Sequence, residues 1–118
     1  MHHRLSINTI GLAANSLDDD LALVSSVGAA AIGLPVKKLD EAGWQTGIDR
    51  VLSSGVRVAT LLHPSMFTLE DRSAWPAQRD ALVRTLDAGE KLAAESLYGT
   101  TGPRGRLTWE EGAEAFAE

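Results

Sequence analysis

His63 is the one histidine of the chain beyond residues 2 and 3, and it stands where the strand-like run Val56-Arg57-Val58-Ala59-Thr60-Leu61-Leu62 gives way to Pro64. An imidazole at such a point can donate to a substrate hydroxyl, orient a base or polarise a carbonyl. The competing reading is a histidine packed in an apolar loop with one backbone partner. A second group is Thr100-Thr101-Gly102-Pro103-Arg104-Gly105-Arg106-Leu107-Thr108, whose hydroxyls, glycines, arginines and following helix start suit a phosphate or carboxylate. It has neither the Gly-Lys-Ser/Thr ending of a phosphate loop nor the Gly-x-Gly-x-x-Gly dinucleotide fingerprint. A turn-rich loop with solvated arginines is its plain alternative. Phe67, Trp75 and Tyr98 fall near the same edge, and an aromatic face with a few polar groups is a common sugar-binding surface. Trp44 and Trp109, at helix beginnings, read as packing residues.

The residues that hold metals or move protons between carboxylates are missing from this pattern. No His/Asp/Glu set gathers at the strand ends, so no metal ligand is assigned, and no paired carboxylates stand ready for acid/base work. Asp18-Asp19-Asp20 opens a helix, where successive side chains fan around the axis and complement the helix dipole rather than converge on one ion. His2 and His3 belong to a fraying terminus.

The elements that must position these groups alternate. Strand-like runs at 5–10, 30–34, 57–62 and 95–100 are each followed by a polar or Gly/Pro-bearing stretch and then a helix-period segment. That alternation predicts an α/β fold with parallel strands covered by helices. Ser16 caps a first helix with Leu17, Leu21, Val24 and Val27 on its buried stripe. A loop at 36–43 leads to a helix with Trp44, Ile48, Val51 and Leu52 on one face, and Pro76 opens a third with Leu82, Leu86, Gly89 and Ala93 facing inward. In the first strand Leu5, Ile7 and Thr9 alternate with Ser6 and Asn8, so the two small polar residues point into a barrel interior or toward a site. The long loops follow the third and fourth strands, at the carboxyl ends where parallel α/β folds bind ligands.

Thr108-Trp109-Glu110-Glu111 has capping-box spacing, yet no Gly, Asn or Pro stop follows Phe116 before Glu118, so residues 1–118 read as the first half of something larger. The net charge of −5 offers no basic field for nucleic acid, and no apolar run approaches the roughly 20 residues that span a bilayer. No cysteine is present and the start carries no apolar signal core, which makes the cytoplasm the default expectation.

Taken in order, Arg4-Leu5-Ser6-Ile7-Asn8-Thr9-Ile10, the Ser16-Leu17-Asp18-Asp19-Asp20-Leu21 helix start, Ala31-Ile32-Gly33-Leu34 with Lys37-Lys38-Leu39, and Thr100-Thr101-Gly102-Pro103 running to Leu107-Thr108-Trp109-Glu110-Glu111 are similar to the sugar phosphate isomerase/epimerase family. The resemblance implies the first four units of a xylose-isomerase-like (β/α)8 TIM barrel, a half barrel that a second half-barrel chain or self-association must complete. It implies a sugar or polyol substrate and proton transfer beside its carbonyl, in isomerisation, epimerisation or keto-sugar elimination. A divalent metal (Mn, Mg or Zn) would be held by carboxylates and a histidine of the last four strands, none of which lies here, so the 118 residues alone are expected to bind no metal and to be inactive. It leaves Asn8, His63 and the Thr100 to Arg104 loop as the first-half wall of the substrate pocket, with Phe67 and Tyr98 beside them. The alternative from another class is a flavodoxin-like binding or regulatory domain without catalysis, which shares the length and the alternation.

Overall fold

The computed structural model describes residues 2–118. Four parallel strands, β1 (Ser6–Asn8), β2 (Ala31–Pro35), β3 (Arg57–Met66) and β4 (Leu97–Thr100), form one sheet in the order β1-β2-β3-β4. Consecutive strands are neighbours, as the family resemblance implies. A doubly wound sheet would hold its first strand inside. With β1 at the edge, the strand order is not that of a flavodoxin-like sheet.

Between the strands run α1 (Leu17–Ser26), α2 (Lys37–Glu41), α3 (Trp44–Ser54) and α4 (Trp75–Lys91), and α5 (Trp109–Ala117) follows β4. Both expected capping boxes form. The Ser16 hydroxyl accepts from the Asp19 N–H and that of Thr108 from the Glu111 N–H, while each carboxylate takes the N–H of its cap residue. The stretch read as a loop at 36–43 contains α2.

One face of the sheet carries the core. Leu17, Leu21 and Val24 of α1, Leu39 of α2, Ile48 and Val51 of α3, Ala88 of α4 and Leu92 just after it pack on Ile32, Leu34, Val58 and Leu61. The expected helix stripes need correcting at their edges. Val27 and Leu52 are exposed, and α4 turns Thr85 and Ala88 inward while Leu86 is 52% exposed. Gly89 lies against Leu61 without being the centre of the stripe. The opposite face carries Ser6, Asn8, Gly33, Thr60 and Tyr98, with Asn8, Gly33 and Thr60 paired across β1 to β3 and Tyr98 paired with Leu62. Ser6, Asn8 and Tyr98 are exposed there, as the alternation in the first strand predicts.

An irregularity in the β2–β3 ladder decides which residues face which side. Ile32 pairs with Val58, but Gly33 pairs with Thr60, so Ala59 is an extra residue. Such a bulge reverses the alternation beyond it. Val58 and Leu61 therefore both reach the helices, and His63 follows Leu61 to that side. Among the described residues no helix is long and apolar enough to cross a membrane.

Candidate functional site

The carboxyl ends of β1 to β4 and the chain that follows them enclose a cavity of about 330 Å³, bordered by Pro35, Lys38, Leu62, His63, Tyr98 and Thr100. That is within the size range of small-ligand pockets. Three expected site residues, His63, Tyr98 and Thr100, thus meet at this mouth. Asn8 does not border it. Its side-chain oxygen accepts the Ile10 N–H at 3.0 Å, capping the 3-10 turn Thr9–Gly11, and Gly33 is the residue that lets the Asn8 side chain lie flat on β2. Phe67 lies on the helix side, its ring 6.1 Å from that of His63 and 5.8 Å from that of Phe116. Thr101 and Arg104 border a separate recess beside α5. Arg104 donates to the Leu107 carbonyl and covers the Trp109 ring, while Arg106 pairs with Glu70. Both guanidinium groups of this loop are thus engaged within the protein, and the N–H of Arg106 holds the Glu70 carboxyl below its ordinary range. Trp109, expected to pack, is 76% exposed.

His63 lies in β3 rather than in a loop, and it is 8% exposed. Its Nδ1 is 2.8 Å from the Thr85 hydroxyl, which donates its own proton back to the Ala81 carbonyl at 3.1 Å. A hydroxyl has one proton. With both bonds made, Nδ1 carries the imidazole proton and donates to Thr85, which leaves Nε2 an acceptor, buried and without a partner among the described residues. In that tautomer Nε2 accepts a hydrogen bond rather than donating one.

Burial also holds the His63 pKa below its ordinary value of 6.5. Unfolding releases the ring to bind a proton more readily, so its contribution to stability is complete above about pH 6.5 and is lost as pH falls through the lower folded-state value. The melting temperature should therefore begin to drop below about pH 6.5, ahead of the carboxylates, and His63→Phe should flatten that first limb. A limb unchanged by the substitution would assign it to another group.

The sequence reading passed over a pair at the same end of the sheet. Asp20 is wholly buried and Lys38 is 4% exposed; the ammonium bonds the Asp20 carboxylate and, at 2.9 Å, the Leu12 carbonyl. Asp20 Oδ1 has no partner among the described residues. The three aspartates therefore differ: Asp18 pairs with Arg50 at the surface, Asp19 makes the capping box, and Asp20 anchors Lys38. The signal was present, because Asp20 falls on the stripe of Leu17, Leu21 and Val24, and a carboxylate on an apolar stripe needs a cation.

Among the described residues no three His, Asp or Glu side chains stand close enough together to hold a metal ion. The divalent metal that the family resemblance implies therefore has no donor set here, and no chemical step is assigned to it on these strands. Comparison of the chain with protein-family models and with characterised proteins gives no match.

Proposed function

We propose that this chain supplies four consecutive (β/α) units of a TIM-barrel enzyme of the sugar isomerase/epimerase kind, forming one wall of a pocket for a sugar or polyol. The observation that carries the reading is the sequential parallel order β1-β2-β3-β4 with a core on one face and exposed Ser6, Asn8 and Tyr98 on the other. A face of that kind becomes the interior when such a sheet closes on itself. Both edge strands present unpaired backbone groups, which a second half-barrel chain or a second copy would satisfy. The carboxylates that abstract the proton beside the carbonyl, and those that hold a divalent metal to polarise it, belong in this reading to strands outside these 118 residues.

Thr100 would contact a substrate oxygen from the mouth, and Tyr98 would offer its ring to a sugar face. The test is deuterium uptake from heavy water at the carbon next to the carbonyl, followed by proton NMR on a panel of ketoses and their phosphates with Mn, Mg or Zn. Purified 118-residue protein should exchange nothing. Joined to a completing half barrel, it should label at least one ketose, and Tyr98→Ala should raise KM for it. A closed, metal-loaded barrel that labels none of the panel would overturn the proposal.

A further inference from the structure

On the helix side of the sheet, α4, α5 and the end of β4 enclose a second cavity of about 380 Å³. It shares His63 and Thr100 with the mouth and is otherwise lined by different residues. Its walls are apolar and aromatic: Phe67, Leu69, Trp75, Leu82, Leu97 and Phe116. The indole N–H of Trp75 is already given to the Thr68 carbonyl at 3.1 Å, so that ring offers the cavity carbon surface. Arg79 and Glu118, of opposite charge, are the charged residues of its lining, so the site has no net charge to attract an ion.

His63 also borders this cavity, and its Nε2 is one of two buried side-chain polar atoms that lack a partner among the described residues. A buried acceptor left unpaired costs free energy that a ligand donor recovers. Apolar cavities without such a group stay empty or take hydrocarbon. Here the acceptor is fixed from behind, because the Nδ1 bond to Thr85 sets both the tautomer and the ring plane. The His63 and Phe67 rings are nearly parallel at 28°, and Phe116 stands edge-on to Phe67 at 69°, an arrangement that receives another ring by stacking or edge contact.

We propose that this cavity is a binding site for a small neutral phenol, whose O–H donates to Nε2 of His63 while its ring packs against Phe67, Phe116 and Leu97. A phenol supplies the donor and the aromatic surface together. An aliphatic alcohol lacks the second and a hydrocarbon lacks the first.

The experiment uses 4-methylphenol as probe, with toluene and 4-methylanisole as partners of similar shape that cannot donate. Titration of the whole chain at pH 7.5 should give at least about tenfold tighter binding of 4-methylphenol than of either comparison ligand, the ratio that one recovered hydrogen bond provides. The ring 15N signal of His63 should report an unprotonated Nε2 in the free protein and shift on adding 4-methylphenol but not toluene. His63→Phe should remove the preference, and Leu82→Trp, which fills the cavity without touching His63, should abolish binding of all three. Equal affinity for the three probes would reduce the cavity to a hydrocarbon void. So would a protonated Nε2, and millimolar probes that leave the His63 signal unmoved would reject the site itself.

Discussion

Asp20→Asn is expected to lower the stability of this protein by about 3–5 kcal/mol, because it strands the Lys38 ammonium in the interior without its counter-charge. The pair sits between α1 and α2 with both side chains out of water, and the Leu12 carbonyl is the one other group that receives the ammonium. A surface ion pair such as Arg50 with Asp18 offers no comparable penalty, since water takes over when one partner is lost. Urea unfolding should show the midpoint fall with the slope unchanged, and the melting temperature should drop on the order of 10–20 °C. The double variant Asp20→Leu with Lys38→Met should recover most of the loss or exceed the parent, as replacing both charges by packed apolar groups removes two desolvation costs at once. A single variant costing under about 1 kcal/mol would mean that the ammonium reaches water by another route.

The second large effect is expected at Gly102, where the loop after β4 passes over the backbone of Phe67. The residue has φ of +78°, and an added Cβ would run into the Phe67 carbonyl oxygen and lie 3.0 Å from its nitrogen. Gly102→Ala therefore combines a left-handed backbone cost of about 1–2 kcal/mol with displacement of one backbone segment by another, for a total of about 3 kcal/mol. Gly105 is the control. It too has positive φ, but its added Cβ would meet only the carboxylate end of Glu70, a flexible side chain that can swing aside at the loss of its exposed bonds from Arg106, so Gly105→Ala should cost the backbone term plus about 0.5 kcal/mol. Because Phe67 bridges His63 and Phe116, Gly102→Ala should also loosen α5, seen as faster amide exchange along Trp109–Ala117. Equal effects of the two substitutions would count against the close crossing.

Much of the architecture is written locally, which is why it could be read. The capping residues Ser16 and Thr108 fix helix starts by short-range hydrogen bonds, and the alternation of Ser6, Ile7 and Asn8 sets the two faces of β1. His63 shows where local reading fails. Strict alternation from Val58 would put His63 on the face opposite the helices, and the extra residue at Ala59 moves it to theirs. Nothing in Val58-Ala59-Thr60-Leu61 announces that irregularity, since it arises from pairing with a distant strand. The role of Thr85 was hidden for the same reason. A threonine in a helix reads as neutral until its partner on the sheet beneath it is known, and the stripe of Leu82 and Leu86 looked the better inner face. Lys38 and Asp20 were legible in principle, but a run of three aspartates drew attention to their common place at a helix start rather than to their different directions.

The strand order also bears on how the chain reaches this state. Because every strand's ladder partner is the next strand in sequence, each addition closes only a short stretch of chain, and no strand must wait for a segment synthesised much later. The unit from β1 through α1 to β2 can pair as soon as it leaves the ribosome, β3 can dock on β2 next, and β4 completes the sheet last. Growth from one end is thus built into the topology, and the growing edge is always the most recently made strand.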